Sequence, residues 1–311
     1  MTATVGLVTF GAAAIGLVAR YLPFANRAVL AAAALLPYLT PAGPVSVVLF
    51  ALARRGLLAA AAGTVAAATI ATHIPLFAAD KTAHTGIRLR VMSANLRRGT
   101  ADAESVLSLA CDWADILAVQ ELTPDELWRL SASGVDKVFP YRLIDQRRPR
   151  SYELGLWSRY PLAQLPEIGG TELPFLGATI QVLGARAEPL IVAAHLANPW
   201  HIGWWSRDIQ KLAKMLRAVD ERATGAVIIA GDMNSTLDMR PFRNLLRRGY
   251  RDAAEQAGAG FCRTFPAGMP IPPLFAIDHV LTLRCTAVAV YTVTLPGSDH
   301  RAVAASVNIP A

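Results

Sequence analysis

The feature that most constrains this chain is how little charge its first part carries: in residues 1–80 only Arg20, Arg27, Arg54, Arg55 and Asp80 are ionised. Ala3 to Ala19 is one apolar run. Ala28 to Ala53 is a second, interrupted by Pro37, Pro41 and Pro44, and Leu57 to Ala79 is a third, with His73 and Pro75 as its unusual members. A hydrocarbon core of about 30 Å is crossed by about 20 apolar residues of helix, and each run comes close to that. Three successive soluble helices of this kind would have no polar face to turn to water. A cleavable signal peptide is the competing reading of the first run, but such peptides open on a basic segment and Met1-Thr-Ala-Thr4 has none. The expectation is a transmembrane region over residues 1–80, with three helices, or two if the proline-rich middle run is re-entrant. Small residues, as in Gly11-Ala-Ala-Ala-Ile-Gly16, would let such helices pack closely.

Beyond Asp80 the charge density becomes ordinary. The whole chain is 17% charged, against about 25% for an average soluble domain, and the deficit lies in the first part. The chain therefore divides into the membrane region, a short linker at 81–87 and a folded domain at 88–311. A net charge of +7 invites a nucleic-acid reading. Yet the basic residues are scattered, and short pairs such as Arg147-Arg148 and Arg247-Arg248 read as solvated faces. No basic stripe with interleaved aromatics is present, as single-strand binding would require. Anionic lipid or a phosphorylated substrate accounts for the surplus equally well. Cys111, Cys262 and Cys285 form neither a metal-ligand spacing nor a disulfide framework, although Cys262 and Cys285 could pair in an exported domain.

Hydrophobic patterning places the elements of the second part. Ile87 to Ala94 reads as a strand ending at Asn95, Ala103 to Trp113 as an amphipathic helix, and Asp115 to Gln120 as a buried strand ending at Glu121. Ser206 would cap a long helix running to Arg222, followed by a strand at Ala226–Ala230. Further strands fit Leu154–Ser158, Thr179–Leu183, Leu190–His195, Ile277–Leu283 and Ala302–Val307. Many strands with few helices indicate an α+β sandwich and not a regular βαβ repeat.

Polar residues sit where these apolar strands end: Asn95, Glu121, His195, Asp232 with Asn234, Asp278, and Asp299 with His300. Carboxylates delivered to one rim repel each other unless a cation neutralises them, and hard oxygen ligands suit Mg²⁺. Any one of them could be a turn former or a strand-end cap, but all of them together are hard to explain in that way. Ser93-Ala-Asn95-Leu, Val119-Gln-Glu121-Leu, Leu156-Trp-Ser-Arg-Tyr-Pro161, Ala194-His195-Leu, Gly231-Asp-Met-Asn234, Ile277-Asp-His-Val280 and Ser298-Asp-His300 follow one another along the chain. This ordered set resembles the endonuclease/exonuclease/phosphatase superfamily, the DNase I-like proteins, over nearly all of residues 88–311. The resemblance implies a four-layer α/β/β/α sandwich, preceded here by the transmembrane helical region.

It also implies roles. Asn95 and Glu121 look like the family's metal-site pair, with Asp299 completing the carboxylate shell around Mg²⁺, for which Mn²⁺ is a possible substitute. His300, oriented by Asp278, resembles the family's Asp–His pair, which acts on the attacking water or on the phosphate. Asp232 would orient the nucleophilic water and Asn234 would hydrogen-bond a phosphate oxygen. His195 matches a second family histidine, whose partner would be Glu153. By strand alternation His279 should face away from Asp278 and be structural. His201 lies in Asn198-Pro-Trp-His-Ile-Gly-Trp-Trp205, whose three tryptophans read first as a small satellite core; dipping into a bilayer surface or lining a lipid tail are the other readings.

The superfamily spans nucleases, sugar-phosphate phosphatases and lipid phosphodiesterases, so the fold does not name the substrate. The anchor favours substrates that live at the membrane. The layout, with Thr264-Phe-Pro266 ahead of Ile277-Asp278, also resembles a bacterial subgroup of three-helix membrane proteins that includes a glycopeptide-resistance protein. That likeness implies a multi-pass cell-membrane protein with an extracytoplasmic catalytic domain acting on prenyl-phosphate carriers. Positive charge in the loops is close to balanced and gives little guidance on orientation. The expected activity is hydrolysis of a lipid or prenyl (pyro)phosphate, with the bilayer as partner. A membrane-tethered nuclease is the alternative, and an inactive envelope scaffold a remote third. Oligomeric state is not legible.

Overall fold

The structure, a computed structural model, describes residues 1–80, 86–145, 153–165 and 175–311, with the side chains of Glu153 and Arg222 outside it. The first five helices are α1 (Thr2–Tyr21), α2 (Arg27–Ala34), α3 (Leu36–Leu39), α4 (Ala42–Leu52) and α5 (Gly56–His73). By length and composition α1 and the stretch Gly56–Phe77 are long and apolar enough to cross a membrane. A third span arises if α2 and the Leu36–Leu52 stretch, bent by 56° at their junction, count as one. The bend falls at Leu35, just before Pro37, where the ring removes a helical donor. Their packing is close: a Cβ on Gly43 of α4 would lie 2.9 Å from the Ala66 Cα of α5.

The rest of the chain runs β1 (Gly86–Asn95), α6 (Ala103–Trp113), β2 (Ile116–Leu122), α7 (Pro124–Ser133), α8 (Val135–Val138), β3 (Tyr141–Ile144), β4 (Glu153–Ser158), β5 (Leu162–Gln164), β6 (Phe175–Ile180) and β7 (Leu190–His195). It continues through α9 (Ile202–Arg222), β8 (Val227–Asp232), α10 (Arg240–Arg243), β9 (Arg251–Asp252), α11 (Ala253–Ala257), β10 (Asp278–Leu283), β11 (Thr286–Thr294) and β12 (Arg301–Pro310). Among the described residues these strands form two six-stranded sheets, in the orders β11-β12-β1-β2-β4-β3 and β5-β6-β7-β8-β10-β9. β1 with β2 and β7 with β8 are parallel, and the remaining neighbours are antiparallel.

Why four layers form is visible in the strand sequences. Val91, Ile116, Ala118, Ile191, Ala193, Ile228, Ala230 and Val280 fill a core between the sheets. Their immediate neighbours are apolar too. Met92, Ala94, Leu117 and Val119 pack outward against Val106, Ala110 and Leu130 of α6 and α7. Val192, Ala194, Val227, Ile229 and Leu281 pack outward against Leu212, Leu216 and Val219 of α9. A strand apolar on both faces must be covered on both, so each sheet takes the other on one side and helices on its back.

Several expectations shift. The long helix begins at Ile202, four residues before Ser206: Asn198-Pro199 starts a 3₁₀ turn, with the Asn198 side chain accepting from the Trp200 backbone N–H at 2.9 Å, and that turn runs directly into the helix. The strand expected at Thr179–Leu183 is Phe175–Ile180, and Leu183 is an exposed residue of the turn at left-handed Gly184. β11 was not among the expected strands, although its run of Val, Thr and Tyr carries a strand signal. The linker at 81–87 falls mostly outside the described residues. All three cysteines are free, so Cys262 and Cys285 do not pair.

The helical region sits against the sandwich. Arg20, near the end of α1, pairs with Asp238, and Arg243 donates to the Arg20 carbonyl at 2.8 Å. Leu30 and Ala34 of α2 share a core with Leu196 and Trp205. The Tyr38 hydroxyl donates to the Leu274 carbonyl at 2.6 Å, and His73 and Phe77 pack on the Phe261 ring at 5.2 and 5.5 Å. The C-terminal ends of α1 and α5 therefore both meet the sandwich. The turn at Arg54-Arg55 lies at the opposite end of α5, roughly 27 Å away at 1.5 Å per residue.

Candidate active site

Side-chain alternation decides which polar residues can meet. Ile228 and Ala230 of β8 face the inter-sheet core, so Asp232 does as well; Val91 of β1 puts Asn95 on the inner face of the other sheet. Across the second sheet His195 is in register with Asp232, and Asp232 with Asp278. Neighbouring strands thus present an imidazole and two carboxylates in one row. The two sheets join at this rim, where Asn95 Nδ2 donates to Asp232 Oδ2 at 3.0 Å. Gly231 allows the row to form, since a Cβ there would lie 1.8 Å from the Ala194 carbonyl oxygen of β7.

Glu121 reaches the site against its own alternation. Ile116 and Ala118 face the inner core, which puts Gln120 inward and Glu121 outward. The register between β2 and β4 slips between Val119 and Leu122, and Glu121 adopts φ 57°. A bulge of this kind re-aims the side chain, at a cost on the order of 1–3 kcal/mol for a non-glycine residue. Glu121 Oε1 then lies 3.4 Å from Asn95 Nδ2 and 3.9 Å from His195 Nε2. Its other oxygen accepts from the Arg98 backbone N–H at 2.8 Å.

Asp232 Oδ2 is the hub. His195 Nε2 is 3.6 Å from it, His300 Nε2 3.8 Å, and Asn234 Nδ2 donates to it at 3.2 Å. The other oxygen of Asp232 accepts from the Asn234 backbone N–H at 2.8 Å, in a turn where Asn234 takes φ 45°, a conformation asparagine tolerates. Asn234 Nδ2 also donates to the Leu196 carbonyl at 2.8 Å. His300 Nδ1 is 2.8 Å from Asp278 Oδ2. The Ser298 hydroxyl accepts from the His300 backbone N–H at 3.0 Å and donates to the Asn95 carbonyl at 2.7 Å, locking the histidine to the first sheet. Thr264 Oγ1 accepts from the Ile277 and Asp278 backbone N–H groups at 3.3 and 3.4 Å.

Burial pushes the His300 imidazole down, but the charges of Asp278 and Asp232 and the hydrogen bond to Asp278 outweigh it, lifting the pKa to about 10. Burial, reinforced by the charge of Asp278, lifts Asp232 to about 6 against the opposing pull of His300 and His195. An imidazolium and a carboxylate poised near neutrality are thus held side by side.

Of the residues expected around a metal, Asn95 and Glu121 come together, whereas Asp299 stands at the rim with Arg97 Nε 3.7 Å from its carboxylate. The tightest group of ligand atoms among the described residues is instead Asp232, Asp278 and His300, all within 4.8 Å of one another. Asp278 Oδ1 is buried without a hydrogen-bond partner. His300 in this group is held protonated and has no lone pair for a metal, so the oxygens that fit a hard divalent cation are those of the carboxylates: Asp278 with an unused oxygen, and Asp232 and Glu121 meeting at Asn95. Glu153 begins β4, and its pairing with His195 lies outside the described side chains; His195 turns to Asp232 and Glu121. His279 faces the other way, with Nδ1 2.7 Å from Asp252 and Nε2 2.8 Å from the Ser235 carbonyl, and is structural. The three tryptophans do not form a satellite core: Trp205 is buried, while Trp200 is 67% and Trp204 61% exposed. Ser298 stands in the Ser298-Asp-His300 motif, but its tie to Asn95 was not anticipated from it, and the place of Arg97 had no signal in the chain.

Two apolar-cored sheets meeting at a rim of carboxylates, amides and imidazoles define a phosphoester-hydrolysing class of enzyme. The sequence profile described as "Endonuclease/Exonuclease/phosphatase family" matches residues 92–300, and the chain belongs to that family of metal-dependent phosphoester hydrolases. Its sandwich is similar to that of an endonuclease/exonuclease/phosphatase from Beutenbergia cavernae, at 20% identity over 72% of each chain with a TM-score of 0.56. It is also similar to TDP2 from D. rerio, solved with a single-strand DNA product, at 20% identity over 71% of this chain and 99% of that one, TM-score 0.55. A family protein from Bacteroides vulgatus matches at 16% identity over 72% of this chain and 99% of that one, with a TM-score of 0.57. No curated protein sequence matches the chain.

Proposed function

We propose that this chain is a membrane-anchored, Mg²⁺-dependent hydrolase of a lipid or prenyl (pyro)phosphate, with its catalytic domain outside the cytoplasmic membrane. The observation that carries the reading is that α1, α2 and α5 dock on the same sandwich whose rim bears the site, through Arg20–Asp238, Leu30 with Trp205, and Phe77 on Phe261. An enzyme so fixed works on phosphates within reach of the bilayer. The extracytoplasmic side follows the likeness of the layout to the three-helix membrane subgroup, because basic residues flank both ends of the helices, Arg20 and Arg27 at one and Arg54-Arg55 at the other.

In this reading Glu121 and Asn95, with Asp299, hold the ion, which when bound would neutralise phosphate oxygens and stabilise charge developing on the leaving oxygen. Asp232, lifted to about 6, orients the nucleophilic water and takes its proton near neutral pH. His300, kept protonated by Asp278, donates from Nε2 to a phosphate oxygen as negative charge builds. The amide of Asn234 and the imidazole of His195 complete the phosphate cradle.

The test is phosphate release by the full-length protein in detergent with Mg²⁺, comparing prenyl pyrophosphate with plasmid DNA, because the D. rerio neighbour holds a DNA product. Release from the lipid is expected, and Mn²⁺ should support it. Cleavage of DNA alone would make the chain a tethered nuclease. Glu121→Ala should abolish activity on either substrate, and retained turnover would remove Glu121 from the metal site. A topology reporter fused after Ala311 tests the side: cytoplasmic signal would overturn the orientation.

A further inference from the structure

The chain leaves the site by an unusual route. His195 closes β7, the Leu196 backbone N–H donates to the Asp232 carbonyl at 3.0 Å, and the Ala197 N–H donates to Asp208 at 2.9 Å. A short 3₁₀ turn, Pro199–His201, then leads into α9. Five residues separate His195 from Trp200, so their Cα atoms are at most about 18 Å apart. In this turn and the first residues of α9, Trp200 and Trp204 are largely exposed, and the His201 ring stacks on Trp204 at 5.3 Å. The same turn touches α2. At the corner between α1 and α2, Tyr21 and Phe24 are also exposed. Tyr21–Arg27 contains no carboxylate and ends in an exposed arginine.

Four exposed aromatics gathered where the apolar helices meet the sandwich form a belt. Indole rings prefer the layer where a hydrocarbon core gives way to polar headgroups, with the ring in apolar contact and the N–H hydrated. An exposed arginine in a segment free of acids matches anionic headgroups. We propose that Trp200 and Trp204 rest in the headgroup layer of the bilayer and hold the mouth of the active site at the level of the lipid phosphates. This rests on the reading of α1 and α5 as membrane spans. Two exposed tryptophans on the chain that leads out of β7 would give an enzyme that draws its substrate from the bilayer a fixed working height. Trp200 and Trp204 are positioning residues and touch no reacting atom.

The experiment uses full-length protein in nanodiscs of phosphatidylcholine and phosphatidylglycerol whose acyl chains are brominated near the headgroup or near the bilayer centre. Shallow bromines should quench part of the tryptophan emission, deep bromines much less, and Trp200→Ser/Trp204→Ser should lose the shallow component. The double variant should show a several-fold higher KM for prenyl pyrophosphate in the bilayer, with kcat/KM for a water-soluble phosphodiester unchanged. Equal quenching in wild type and variant would overturn the proposal, as would rings shielded instead by a second copy of the chain, seen as a dimer mass and no bromine effect. Flotation with liposomes separates the two levels. Wild type that fails to float refutes the anchor, and with it this inference; wild type that floats without shallow quenching refutes this inference alone.

Discussion

The helical region and the sandwich are packed by opposite rules. In the helices the inside is built largely from small or polar residues, with Gly6, Ala13, Gly16, Gly43, Ser46, Ala62, Ala66 and Thr69 buried beside two large side chains, Leu36 and Phe50. Val8, Ile15, Val48, Leu52 and Leu57 point outward. In the sandwich the inside is large, with Trp157, Trp205, Tyr250, Phe139 and Phe242 fully buried. Water drives the second arrangement, because burying large apolar surface is what stabilises a soluble core. The first is the pattern expected where the surroundings are as apolar as leucine and close contact between backbones is the gain, as proposed for this region. The site lies on the sandwich, but its surroundings belong to both.

Four measurements would break or sharpen that contrast. Gly231→Ala should do the most damage, since the added Cβ meets the Ala194 carbonyl at 1.8 Å. We expect a loss above about 4 kcal/mol, read as loss of cooperative unfolding of the sandwich; a stable, active variant would refute the close approach of β7 and β8. Asp278→Asn removes the charge that holds His300 protonated and should lower kcat by about 10²–10⁴-fold with the melting temperature of the sandwich kept. An unchanged rate would show that the pair is only structural.

Val48→Asp tests the helices. On the outside of a soluble bundle it would be harmless, but in a bilayer it costs about 2.5–3.5 kcal/mol at a span centre and should reduce membrane insertion, as measured by carbonate extraction. The smallest effect concerns His279. Burial pushes its imidazole down, but the charge of Asp252 and hydrogen bonds to Asp252 and the Ser235 carbonyl outweigh this and raise its pKa. Both ring nitrogens face acceptors, so the protonated form is the one the fold prefers. Its stabilisation, about 1.5–3 kcal/mol for charge-assisted hydrogen bonds, should be full below about pH 6.5 and fade as pH rises through the raised value. His279→Gln should flatten that part of the stability–pH curve, and an unaltered curve would show that His279 is neutral.

Much of the site was legible because strands have a period of two. Asn95, His195 and Asp232 each close an apolar strand and Asp278 opens one, and alternation alone aims all four at the inter-sheet space and His279 away from it. Glu121 was found only as a motif residue. Its strand pattern aims it outward, and the bulge that turns it inward depends on β4, more than thirty residues later in the chain. Asp299 shows the reverse: its motif is clear, yet its side chain meets Arg97, a residue about two hundred positions away with no marking of its own. The start of α9 was misplaced because a serine was weighed above the Asn198-Pro199 pair.

The membrane-like composition of residues 1–80 and the faces of the strands were therefore set by the sequence alone, since both follow from local spacing and from which side chains tolerate water. Tertiary structure alone decided that Arg20 answers Asp238, that Ser298 ties His300 to Asn95, and that Trp200 and Trp204 stand exposed beside α2. Those contacts join residues far apart in the chain. Their energies depend on how whole layers and helices settle against one another, which no local pattern encodes.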